Sequence, residues 1–152
     1  LAARVPSAMP ETIGYVDRYR LAFHKRSIDG SAKADVVWTE QLDDRVWGAV
    51  YRIHLDEQPM LDKHEFLGIG YDRVNVEVVT AGETVVEAWM YVARTSAIDA
   101  SLRRYGWYVD YVVRGAHQHR LPLCYISKLC QIETLCDPDP EREASHQPLL
   151  SP

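Results

Sequence analysis

Val74-Asn75-Val76-Glu77-Val78-Val79-Thr80, followed by Ala81-Gly82-Glu83 and the run from Thr84 to Ala93, decides the fold. Val74, Val76 and Val78 alternate with Asn75 and Glu77, the period-two pattern of a strand with one buried face. The glycine-centred turn sends the chain back into a second long strand, so this stretch reads as a β-hairpin. Towards the N-terminus, Tyr19, Leu21 and Phe23 alternate with Arg20, Ala22 and His24, and Asp29-Gly30 marks a turn. Ala34 to Trp38 and Val46 to Ile53 follow, both rich in valine and aromatics and separated by the polar run Thr39 to Arg45. These give three more strands. Leu1, Ala2, Ala3 and Val5, lying before Pro6 and Pro10, read as the last turn of a helix.

Between the third strand and the hairpin the pattern changes. Asp56 is placed to cap a short helix from Leu55 to Glu65, with Pro59 in the first turn, where a missing N–H does no harm. After the hairpin, Tyr108, Tyr111, Val112, Gly115 and His119 recur at helical spacing. Leu121-Pro122 stops that helix and begins another through Leu135. Beyond Cys136 four of the 8 prolines fall among acidic and polar residues, which predicts a disordered tail over 137–152 behind a domain of residues 1–136. Five mostly antiparallel strands, with helices after the third strand and at the C-terminus, predict an α+β fold whose small mixed sheet curls towards a barrel.

Composition narrows the function. With 152 residues, 47% hydrophobic and 26% charged, the chain has one domain's worth of core and an ordinary globular balance. A net charge of -5 has the wrong sign for a phosphate-backbone partner, so nucleic acid is not expected. No apolar run approaches the roughly 20 residues of a membrane span, and no charged start leads into an apolar block, so the expected compartment is the cytoplasm. Cys124, Cys130 and Cys136 are an odd number without a C-x-x-C pair, and His117-x-His119 lacks ligand spacing, so neither a disulfide framework nor a metal is expected. Dinucleotide, P-loop and H-E-x-x-H fingerprints are absent.

Glu65 is the most informative candidate. It follows Leu61 by four residues and so shares the face that Leu61 must bury. A desolvated carboxylate there could take and return a proton near neutral pH; a carboxylate at a frayed helix end would simply face water. Phe66-Leu67-Gly68-Ile69-Gly70-Tyr71 follows as a glycine-spaced connection able to bend round a small ligand. Tyr71 and Tyr125 could each bond a polar substrate, though in a chain of nine tyrosines any one is first a packing residue. Trp47 and Trp89 are expected in the core.

Tyr19 to Ser27, Gly30 to Ala34, Val46-Trp47-Gly48-Ala49-Val50-Tyr51, Leu61-Asp62-Lys63-His64-Glu65 with Gly70-Tyr71, and Trp107-Tyr108 through Gly115-Ala116 to Leu121-Pro122 and Tyr125 together resemble a gamma-glutamylcyclotransferase. Their order and spacing carry the resemblance, which runs from about Arg4 to Leu129. It implies a barrel-like mixed sheet and cyclisation of γ-glutamyl amines or amino acids to 5-oxoproline with release of the free amine. It also implies Glu65 as general acid/base, Tyr71 and Tyr125 as substrate-binding residues, no cofactor and a small-molecule γ-glutamyl partner; a homodimer is compatible with it. Glu65-Phe66 stands where the family often has Glu-Gly. The family's N-terminal strand and Tyr-Gly-Ser-Asn loop would precede Leu1. A non-catalytic module of the same fold, binding a small molecule or a protein, is the alternative.

Overall fold

The computed structural model describes residues 4–146. Six strands precede a C-terminal group of helices: β1 (Met9–Asp17), β2 (Tyr19–Arg26), β3 (Ala32–Trp38), β4 (Arg45–Arg52), β5 (Tyr71–Thr80) and β6 (Val85–Ala93). A short helix α1 (Gln58–His64) lies between β4 and β5, and α2 (Gly106–Gln118), α3 (Leu123–Cys130) and α4 (Pro140–His146) close the chain. The fold is α+β, as expected. Among the described residues no helix is long and apolar enough to cross a membrane.

The hairpin that decided the fold is β5–β6, with Asn75 opposite Trp89 and Glu77 opposite Glu87. It belongs to an antiparallel sheet of order β4-β1-β5-β6, beside which β2 and β3 form a separate two-stranded ribbon. Strand β1 was not expected. Of the stretch read as a helix end, Leu1 to Ala3 lie outside the described residues, and beyond Pro6 the chain enters an extended strand at Met9, pairing along its length with β4 and at Gly14 and Tyr15 with β5. Gly14 is required there, because a Cβ would lie 2.6 Å from the Val79 carbonyl oxygen. Pro10 and that glycine interrupt the apolar alternation that would have revealed the strand.

The ribbon curls against the sheet without closing a barrel. Where β3 meets β6, a side chain does the work of a missing ladder: buried Asp35 accepts from Ala93 N–H at 2.7 Å through Oδ1 and bonds His24 Nε2 at 2.7 Å through Oδ2. Ala116, Leu121, Ile126 and Leu129 of the α2–α3 hairpin form the larger core cluster, against which Leu21 and Trp47 pack. Val5, Ala8 and Leu61 form a second, supported by Trp89 and Tyr91.

Three boundaries differ from expectation. Asp56 does not cap α1: Leu55–Glu57 is a 3-10 turn, and Glu57 stands at the N-cap. Helix α3 ends at Cys130, and Leu135 bridges to Tyr105. The stretch after Cys136 is no loose tail as far as His146, since Asp137 is buried and α4 follows it. The rest of the expected tail, 147–152, lies outside the described residues.

Candidate active site

Helix α1 is held from three sides. Leu61 is buried against Val5 and Ala8. The Glu57 carboxylate accepts from Ser7 N–H at 3.0 Å and from its hydroxyl at 2.6 Å, fixing the start of the helix to the N-terminal segment. Asp62 accepts from the Tyr91 hydroxyl at 2.7 Å and from Arg73 Nη1 at 2.9 Å, fixing it to β5 and β6. With both ends anchored, Glu65 at the C-cap has little freedom; its N–H donates to the Leu61 carbonyl at 2.9 Å.

The Glu65 side chain is 24% exposed and accepts from Arg4 Nη1 at 2.8 Å. Together with Leu61 it lines a cavity of about 670 Å³ whose nearby walls include Tyr51, Ile53, Trp89 and Tyr91. The shared face inferred for Leu61 and Glu65 is thus a cavity wall. The carboxylate is neither buried without a partner nor lost to solvent.

Glu65 acts electrostatically on a cluster of phenols. Burial, then the charges of Tyr108, Glu65 and Asp35, push the Tyr71 phenol well above its ordinary value. Burial and the Glu65 charge also raise Tyr108, against an opposing hydrogen bond from Ala34. Lys25, lowered chiefly by burial, lies 4.8 Å above the Tyr71 ring and is drawn back up by Glu65 and Asp29. Both phenols therefore stay protonated at neutral pH and serve as O–H donors.

Those phenols meet on β3. Tyr71 O–H donates to the Ala34 carbonyl at 3.2 Å, while Ala34 N–H donates to Tyr108 Oη at 3.1 Å. Tyr71 is so placed within reach of the Glu65 field. Tyr125 is not in the same group: it bonds the Trp47 backbone and lines a second cavity of about 510 Å³ with Arg20, His24, Arg104 and Lys128. Tyr108 was missed. Its ring is one of several aromatic residues at helical spacing, and only the fold shows that its hydroxyl proton has no acceptor among the described residues.

The loop after Glu65 completes α1 in a Schellman motif, with Leu67 N–H donating to Asp62 O at 2.9 Å and Phe66 N–H to Lys63 O at 3.2 Å. The residue that this motif holds left-handed is usually glycine; here it is Phe66, at φ 53. Among the described residues no cluster of three metal-ligating side chains occurs, and His119 is bonded to Tyr51 at 2.6 Å.

The fold thus sets one carboxylate, bonded to Arg4, on the wall of a largely apolar cavity, with the half-buried phenols of Tyr71 and Tyr108 meeting on β3 beyond the residues that line it. The chain belongs to the AIG2-like family, which matches residues 45–129. Its fold is similar to that of a solved gamma-glutamyl cyclotransferase: TM-score 0.83 and 22% identity, over 97% of this chain and 89% of that one. An uncharacterised human protein is similar at TM-score 0.81 and 23% identity, over 96% of this chain and 89% of its own. YkqA from Bacillus subtilis gives TM-score 0.65 and 18% identity, over 83% of this chain and 46% of that one. No curated protein matches in sequence.

Proposed function

We propose that this chain is a gamma-glutamylcyclotransferase acting on a small γ-glutamyl amine in the cytoplasm, with Glu65 as general acid/base. The observation that carries the reading is the Glu65 carboxylate at the edge of an apolar-walled cavity, already holding a cationic N–H donor at 2.8 Å. A substrate α-ammonium would offer the same kind of donor.

The chemistry asks for little else. The substrate's α-amine lies within reach of its own γ-carbonyl, so attack closes a five-membered ring without a nucleophilic side chain. Glu65 removes a proton from the α-ammonium; the freed amine forms the ring N–C bond; the old C–N bond breaks. Glu65 returns that proton to the departing nitrogen as the C–N bond breaks, and the ring nitrogen, which still carries two hydrogens after the attack, gives up the second to the released amine, leaving a neutral lactam and an ammonium. Tyr108, kept protonated and with its hydroxyl proton uncommitted among the described residues, is the O–H donor proposed for the developing oxyanion, while Tyr71 spends its proton on the Ala34 carbonyl and is proposed to contact substrate through its ring. Tyr125 is proposed to bind substrate only if the ligand reaches the second cavity.

The test incubates γ-linked glutamyl amines and their α-linked isomers with the protein and follows 5-oxoproline by mass spectrometry. The γ-linked compounds should cyclise. The α-linked ones should not, because attack on their scissile carbonyl would require a three-membered ring. Glu65→Gln should stay folded and lose about 10² to 10⁴ in rate, since an amide can neither accept nor return the proton. Release of free glutamate would make water the nucleophile and defeat the reading. The Arg4 contact favours a second reading, a non-catalytic binding module whose carboxylate is permanently occupied; ligand binding without 5-oxoproline, in wild type and in Arg4→Gln alike, would select it.

A further inference from the structure

The loop from Glu65 to Tyr71 is fixed in a way that does not require the side chain at its strained position. Gly70 and Ile69 both donate to the Phe66 carbonyl, at 2.8 and 2.9 Å, and Gly68 N–H donates to Tyr71 O at 2.8 Å. Arg94 closes the loop from outside, its Nη1 donating to Gly68 O at 2.7 Å and its backbone N–H to Gly70 O at 3.1 Å. All but one of these bonds, the guanidinium donation, run from backbone to backbone. A glycine at position 66 would keep every one and relieve the left-handed conformation, which a bulky L-residue adopts only at a cost. The loop does use glycine at its other left-handed position, Gly68, at φ 81.

Nor does core packing account for the ring. Phe66 is 50% exposed, and it is flanked by Leu67 at 38% and Ile69 at 73%. Three large apolar side chains thus stand open on the segment that begins at the Glu65 carboxylate. The cavity that Glu65 lines also has apolar walls, among them Leu61, Trp89 and Tyr91. A half-exposed aromatic residue held left-handed, next to the carboxylate proposed to react, points to a ligand contact.

We propose that Phe66, with Ile69 beside it, forms the subsite for the departing amine, and that this amine carries an apolar, aryl or branched alkyl, group. The proposal rests on the cyclotransferase reading and deepens it, naming the class of leaving group. The γ-glutamyl half is common to all substrates, so selectivity must come from walls that touch the other half. Phe66 supplies such a wall, and glycine would not.

The experiment compares γ-glutamyl benzylamide with γ-glutamyl methylamide on wild type, Phe66→Gly and Phe66→Leu. Wild type should favour the benzylamide in kcat/KM by about tenfold. Phe66→Gly should lose that preference by raising KM for the benzylamide alone, and Phe66→Leu should keep a several-fold preference. Differences in leaving-group chemistry cancel when the ratio is compared between variants. The melting temperature of Phe66→Gly should equal or exceed that of wild type. A preference that survives in Phe66→Gly overturns the proposal. So does a melting temperature several degrees lower, which would make the ring a packing residue, or self-association that Phe66→Gly abolishes, which would make it a contact between copies. If neither amide is cyclised by wild type, the cyclotransferase reading fails; the subsite is then judged by calorimetric binding of the same two amides, where equal affinities in wild type overturn it.

Discussion

Arg4 crosses 61 positions of sequence to place Nη1 2.8 Å from Glu65 Oε1. It is carried there by its neighbours: Val5 and Ala8 are buried against Leu61, and Ser7 is bonded to Glu57, so the N-terminal segment runs along α1 to its C-cap. The contact is consequently a feature of how α1 is clamped.

A pair that is 55% exposed on the arginine and 24% on the glutamate contributes at most about 1 kcal/mol to stability. Arg4→Gln should therefore shift the melting temperature by no more than about 4 °C. Its kinetic effect should be clearer. A guanidinium on Glu65 competes with a substrate ammonium, so the variant should show a lower KM with kcat little changed, and the difference should shrink as salt screens the competition. Steady-state kinetics at low and high ionic strength check this. A fall in kcat at constant KM would instead assign Arg4 to holding the carboxylate in position.

The three tyrosines should separate in a hydroxyl-deletion series. Tyr71→Phe loses its bond to the Ala34 carbonyl but keeps its ring under Lys25, and should cost about 1 kcal/mol in stability with a modest loss of rate. Tyr108→Phe removes a buried O–H near the Glu65 charge and leaves Ala34 N–H without its acceptor, so it should lower kcat more than Tyr71→Phe. Tyr125→Phe, facing the other cavity, should affect the reaction least. Parallel kinetics and thermal melts of the three variants decide the order; a largest kcat loss in Tyr125→Phe would place the reaction in the second cavity.

The sequence revealed elements whose periodicity was uninterrupted and missed those defined by partners. The β5–β6 hairpin was legible because alternating valines and a glycine turn specify pairing locally. Strand β1 was not, because Pro10 and Gly14 break its alternation and its stability comes from β4 and β5 on either side. Glu65 could be placed beside Leu61 from helix spacing alone, yet its partner Arg4 lies 61 residues away and no pattern announces it. The left-handed conformation of Phe66 was equally hidden, since at that place a sequence reader looks for glycine.

Asp137, expected in a loose tail, is buried and bonded to Arg142 of α4. Its Oδ2 accepts from Trp107 Nε1 at 2.8 Å and from Arg142 Nε at 2.6 Å, while the His146 ring stacks on Trp107 at 3.8 Å. The Arg142 hydrogen bonds, against the cost of burial, hold the Asp137 carboxyl well below the usual carboxylate range. A depressed folded-state pKa means that the stabilisation is fully present above the unfolded value, about 4, and is lost as pH falls below it towards the folded value. The gap in melting temperature between wild type and Asp137→Asn should accordingly be widest at neutral pH and close in acid. Truncation after Cys136 should lower the melting temperature by several degrees and shift tryptophan emission to the red as Trp107 loses its covering ring. Thermal melts across pH, read by tryptophan fluorescence, test both. A gap that stays constant down to strongly acidic pH would show that the carboxylate's charge is not what holds α4, and an unchanged melting temperature on truncation would return 137–146 to the status of a tail.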